Sequence, residues 1–194
     1  MIYNKCYIKE ETMSPKTQYD KQAIINAAFE LAQKYGLSSI TTRDVAKKIG
    51  CSVAPIYVNF ESVEDLKDAV LQKVFEISSE LLNAFNESSN FTRIGKASLA
   101  FAKQYPVIFR ELTMTPNKYM QSYDVIEKLL LEGMSEDDDL KDWSLKERQR
   151  LLFKMRTFHL GLSMMIATNQ IPLWLDEDET ENLLIEVGNE LLKK

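Results

Sequence analysis

The chain has 194 residues, 45% of them apolar, with only six Gly and five Pro and a net charge of −5. That length holds a small domain plus a medium one built on helical cores. No apolar run reaches the roughly 18 residues of a membrane span, and the N-terminus MIYNKCYIKEETM is charged where a secretory signal needs an apolar core, so a cytoplasmic protein is expected.

The negative total conceals an asymmetry. Residues 1–60 hold eight Lys or Arg against five Asp or Glu, whereas residues 61–194 hold sixteen against twenty-four. A modestly basic head on an acidic body suits a polyanionic partner approached from one end. The two cysteines, Cys6 and Cys51, lie far apart and are read as free thiols.

Residues 1–15 show no helical period before Pro15 and read as an unstructured leader, with Met13 as an alternative start. From Lys21 to Tyr35 the set Ile24, Ala27, Ala28, Leu31 and Ala32 keeps helical spacing, and Gly36 closes that helix. TTRDVAKKIGCSVAPIYVNF, residues 41–60, then reads as two short amphipathic helices. Val45, Ala46 and Ile49 share a face of the first, which Thr41 or Thr42 can cap. Gly50 stands where the chain must reverse through positive φ. Ser52 is the expected cap of the second helix, with Ile56, Tyr57 and Phe60 turned inward. Helix, glycine turn, helix is the arrangement that lays a second helix in the major groove of DNA.

Ser62 should cap a long helix whose stripe runs Leu66, Val70, Val74, Ile77, Leu81. Beyond it the pattern predicts helices over 90–105, 107–115, 117–133, 144–169 and 177–192, with no period-2 run that would make a strand.

The stretch from IINAAFELAQKYGLSSIT through TTRDVAKKIG and IYVNF to SVEDLKDAV resembles the DNA-binding domain of the TetR/AcrR family of bacterial repressors. Gly36, Thr42, Ala46, Gly50, Tyr57, Phe60 and Leu66 carry the resemblance at the family's spacing. LAFAKQYPVIFREL also resembles the ligand domain of some of its members. The resemblance implies an all-α protein: an N-terminal three-helix DNA-binding domain with helix-turn-helix, over 16–62, and a C-terminal helical ligand-binding and dimerisation domain, over 63–194.

For DNA contact the residues are Thr42, Arg43, Lys47, Lys48, Ser52, Val53, Ala54, Pro55, Tyr57 and Asn59. Arg43 offers a planar fork to guanine O6 and N7, a pairing that discriminates by about 1–3 kcal/mol. Thr42 can reach a phosphate, Asn59 can bond a phosphate in preference to adenine, and the resemblance implies a phosphate contact for Tyr57. Val53 and Ala54 can meet thymine methyl groups, Pro55 tolerates the first turn of a helix, and Lys47 and Lys48 add attraction. Where the family commonly has a lysine, this chain has Val63 between Glu61 and Glu64, so only backbone N–H groups remain for a phosphate there.

In the body, Phe101, Phe109, Met114, Met120, Tyr123 and Phe158 are candidates to line a mostly apolar effector cavity. The resemblance implies a homodimer through the last two helices, with Leu162, Met165, Ile166, Leu184, Val187 and Leu191 at the interface. His159, the sole histidine, reads as packing, and the acidic runs 136–139 and 176–179 lack the spacing of a calcium loop. No cofactor or metal is expected, and no set of residues supports catalysis. The expected function is a regulator that binds double-stranded operator DNA as a homodimer and is released by a small molecule. Its rivals are a protein-interaction module of the same fold and a small helical enzyme.

Overall fold

The computed structural model describes residues 19–87, 90–115, 123–137 and 140–193. Nine α-helices lie among them: α1 Lys21–Tyr35, α2 Thr42–Ile49, α3 Ala54–Asn59, α4 Val63–Ala84, α5 Asn90–Gln104, α6 Pro106–Met114, α7 Tyr123–Ser135, α8 Leu145–Ala167 and α9 Glu177–Leu192. The described residues form no strand. A single 3-10 turn, Leu37–Ser39, follows α1.

Local chemistry sets most boundaries. Asp20 caps α1 by accepting from the Ala23 N–H at 2.7 Å. Thr41, not Thr42, caps α2, and Ser62 caps α4 as expected. Ser144 and Asp176 open α8 and α9 with reciprocal capping boxes to Glu147 and Glu179, which explains the acidic start of α9. Pro106 does more than stop the preceding helix. Its missing N–H is harmless at the first position of α6, where the structure places it. The first part of the expected helix 117–133, residues 117–122 and Met120 among them, lies outside those described.

The largest apolar cluster joins the head to the body. Ile24, Ala28, Val45, Ile56, Leu66 and Val70 are buried in it together with Phe101, Ala102, Ile108, Phe109 and Ala167. The first three helices therefore do not close a core of their own; α4, α5, α6 and the end of α8 complete it. A second cluster packs Leu99 of α5 against Leu162 of α8 and Leu184 of α9. Gly95 permits that approach, because a Cβ there would stand 2.6 Å from Leu184 Cδ2. Lys96 adds ion pairs to Glu87 at 2.8 Å and to Glu181 of α9 at 3.2 Å. A third cluster, Leu140, Leu151 and Met155, closes the far end.

Candidate nucleic-acid interface

The two motif helices are fixed by their ends. The Thr41 hydroxyl accepts from the Asp44 N–H at 3.1 Å and donates to the Asp44 carboxylate at 2.5 Å. Gly50 adopts φ 74°, ψ 32°, and the Cys51 N–H turns back to the Ala46 carbonyl at 3.0 Å. This left-handed residue followed by a returning N–H satisfies orphan carbonyls of α2 while reversing the chain. The Cys51 thiol donates to the Ser52 carbonyl and packs against the core.

The second helix begins one residue later than a Ser52 cap requires. Val53 occupies the cap position in αR conformation, no side chain caps it, and Ser52 is exposed before it. Pro55 lies in the first turn, where no intrahelical N–H is lost. Ile56 and Phe60 are buried, but Tyr57 is not: it is 55% exposed, against the expectation that it faces inward. Burial of Ile56 and Phe60 at i and i+4 fixes the rotation of the helix, and so turns Val53, Ala54, Tyr57 and Val58 outward together. Lys21 of α1 lies over the Phe60 ring at 5.2 Å, tying the end of α3 to the start of the head.

Around this exposed stripe stand most of the expected contact residues. The Tyr57 hydroxyl lies 3.5 Å from Thr42 Oγ1, so the start of α2 and the middle of α3 present two hydroxyls side by side. Arg43 is exposed in the first turn of α2, and Lys47 lies one turn further on the same face. Lys48 pairs with Glu30 of α1 at 2.6 Å. The Asn59 amide donates to the Pro55 carbonyl at 2.8 Å, so its N–H group is directed at its own helix. Val58, 79% exposed, was not among the expected contacts, although its i+4 spacing from Ala54 already put it on the same face.

Four of the expected effector residues have described side chains. Phe101 and Phe109 are buried in the head–body core, where the Phe101 ring packs on Tyr105 at 5.2 Å. Phe158 belongs to the second cluster, and Met114 is 68% exposed. Met120 and the Tyr123 side chain lie outside the described residues. Of the expected interface residues, Leu162 and Leu184 are buried against Leu99 inside the protomer, which removes them from a partner's reach. Met165 is exposed, and Ile166, Val187 and Leu191 are half-buried. His159 has Nε2 2.8 Å from Ser98 Oγ, which in turn stands 3.3 Å from the buried Ser163 hydroxyl.

An outward-facing second helix, held by a glycine turn on a helical body, is the arrangement of the helix-turn-helix class of DNA-binding domains. Residues 24–70 match the family described as bacterial regulatory proteins, tetR family. No curated protein matches the sequence. The fold is similar to a TetR-like transcriptional regulator from Rhodococcus sp. RHA1, with a TM-score of 0.63 at 16% identity over 89% of this chain and 96% of that one. It is similar also to a putative tetR family transcription regulator from Shewanella sp. PV-4, at 0.59 and 16% over 86% and 94%. A third is the fatty acid degradation regulator FadR from Bacillus halodurans, at 0.57 and 14% over 89% and 94%. At these identities the likeness is one of fold. The chain thus combines a head that matches the tetR-family model over residues 24–70 with a body of similar fold.

Proposed function

We propose that the chain is a homodimeric, cytoplasmic repressor that binds a short palindromic operator and is released by a small, mostly apolar ligand. The observation that carries the DNA half of this reading is the exposed stripe Val53–Ala54–Tyr57–Val58, backed by the buried Ile56 and Phe60 and flanked by Thr42, Arg43 and Lys47. Thr42 and Tyr57 would share the backbone phosphate beside the groove, and Arg43 would reach a guanine edge. Ser52 and Pro55 would lie at the leading edge of the helix, with Lys48 and Asn59 near the phosphates.

The head carries little excess charge, so one protomer supplies few phosphate contacts, and the reading requires two copies. A dimer would set its recognition helices about 34–36 Å apart, one turn of DNA. Release follows if the ligand prefers a state in which that spacing is wrong; differential affinity is all it needs. Among the elements that join the 63–194 body to the 16–62 head, two stand out as routes. One is α4, which runs on from the motif, and the other is α6, which touches both parts.

The test is selection of bound sequences from a random duplex library, followed by titration of the winner at two salt concentrations. A palindromic site with a steep salt slope is expected, since log K falls by about 0.9 per phosphate neutralised for each decade of salt. Arg43→Ala and Tyr57→Phe should weaken binding in a fully folded protein. No enrichment by folded dimer, washed free of ligand, would favour the protein-interaction reading. Val63 in place of a basic residue is the observation on that side.

A further inference from the structure

We infer that α3 reads the C5-methyl groups of thymine, so that the operator half-site carries thymines about two base pairs apart opposite Ala54 and Val58. This rests on the DNA-binding reading above and names what that site selects. The outward face of α3 is almost without hydrogen-bonding groups. Val53 is 38% exposed and Val58 79% exposed, with exposed Ala54 between them on the same stripe.

Of the two polar side chains within α3, Tyr57 stands at the edge of the stripe beside α2 and Asn59 turns to its own helix. The Tyr57 hydroxyl lies 3.5 Å from Thr42 Oγ1 on α2. Asn59, the residue type that pairs with adenine through two bonds, donates to the Pro55 carbonyl at 2.8 Å from a half-buried position. Apart from the Tyr57 hydroxyl beside Thr42, this face offers base edges no donor or acceptor side chain. The one apolar feature in the major groove is the thymine methyl group.

Spacing makes the assignment specific. Four residues of helix span about 6 Å, close to two base-pair steps of about 3.4 Å each. Ala54 and Val58 therefore address methyl groups two steps apart when the helix lies along the groove, with Val53 beside the first. The exposure of Val58 has no explanation within the protomer, whose core on this side is filled by Ile56 and Phe60. Hydrogen-bonding readout would then fall to Arg43 on α2 and to Ser52 ahead of α3.

The experiment replaces thymine by deoxyuridine, one position at a time, in the duplex recovered by selection. Deoxyuridine keeps base pairing and the O4 acceptor and removes only the methyl. Uracil at two positions in each half-site, two base pairs apart, should weaken binding by about 3- to 5-fold each, the factor expected for one buried methyl, without changing the salt slope. Val58→Ala should weaken binding to the thymine duplex and abolish the uracil effect at one of those positions alone. 5-Methylcytosine in place of thymine, paired with guanine, should retain part of the affinity that cytosine loses. Tight, sequence-specific binding that is indifferent to uracil at every position overturns this inference and leaves the regulator reading intact. Failure of the folded dimer to bind any duplex overturns the regulator reading itself, and this inference with it.

Discussion

The Glu111 carboxylate on α6 accepts the backbone N–H of Ser38 at 2.8 Å, across 73 positions of sequence, and its other oxygen accepts from Leu37. One side chain of the body therefore caps the 3-10 turn of the head. Its neighbour Arg110 points the other way and donates to the Ala167 carbonyl at the end of α8 at 2.5 Å. Adjacent residues on a short helix thus hold the DNA-binding part and the C-terminus of a long body helix at once. Glu111→Ala should lower unfolding stability by about 1–2 kcal/mol, the lower part of the range for charge-assisted bonds because Ser38 is exposed. Amide exchange at Leu37 and Ser38 should speed up. A wild-type denaturation midpoint with unchanged exchange would show that the clasp contributes nothing.

Gly36 is required twice over. Its φ is +90°, outside the range that side chains favour, and a Cβ would stand 2.6 Å from Glu111 Oε2. Gly36→Ala should therefore be more destabilising than Glu111→Ala, since strain of about 1–3 kcal/mol adds to displacement of the carboxylate. The double variant should cost less than the sum of the two, because the same contact is lost only once. Strict additivity in a denaturant-unfolding cycle would leave backbone strain as the whole effect.

What the sequence disclosed follows the range of the forces involved. Caps and turns act within four residues, so Gly36, Gly50 and Ser62 were readable as punctuation, and the stripe Leu66–Val70–Val74 gave the face of α4. The direction of Tyr57 was not readable. In a six-residue helix, periodicity is sampled for less than two turns, and an inward Ile56–Tyr57–Phe60 fits it as well as an outward Val53–Tyr57. Ser52 looked like a cap because its residue type is right, yet α3 starts after Val53. Non-local relations left no trace: nothing near Leu37 announces a carboxylate 74 positions away. Leu162 and Leu184 show the same limit, since an apolar stripe does not declare whether it meets its own chain or another.

The stability of the body should depend on His159 in mildly acidic solution. Burial lowers its pKa from 6.5 to about 4; repulsion from Arg156 acts in the same direction, and a hydrogen bond to the Arg156 backbone opposes both. The unfolded chain takes up a proton as pH falls through about 6.5, and the folded chain does not until about 4. The stabilisation of the neutral form is thus complete above about pH 6.5 and lost progressively below it, on the order of 2–3 kcal/mol by pH 4. His159→Gln, which keeps an amide near Ser98, should flatten the curve of unfolding free energy against pH between 6.5 and 4. Parallel curves for the two proteins would assign the acid loss to other groups.

The dimer reading makes its sharpest prediction at Gly161. Phe153, Thr157, Gly161 and Met165 follow one another at every fourth position of α8, and all four are exposed, Phe153 by 70%. Leu173 and Trp174, just beyond the helix, are exposed by 106% and 73%. Exposed apolar area of this kind on a helix is what a partner surface offers. A Cβ on Gly161 meets nothing within 4 Å inside the chain, so substitution leaves the protomer's packing untouched. If two copies cross at α8, as ridges into grooves at an axis separation of about 8–10 Å, the missing side chain lets them approach there. Gly161→Arg should then weaken dimerisation by tenfold or more in sedimentation equilibrium, at unchanged helical content, and binding to a two-half-site operator should fall with it. Gly161→Ala should have a smaller effect in the same direction, because one methyl widens the crossing far less than a guanidinium does. A Gly161→Arg protein that dimerises with wild-type affinity would place the interface on another face, and the exposed stripe of α8 would then need a different partner.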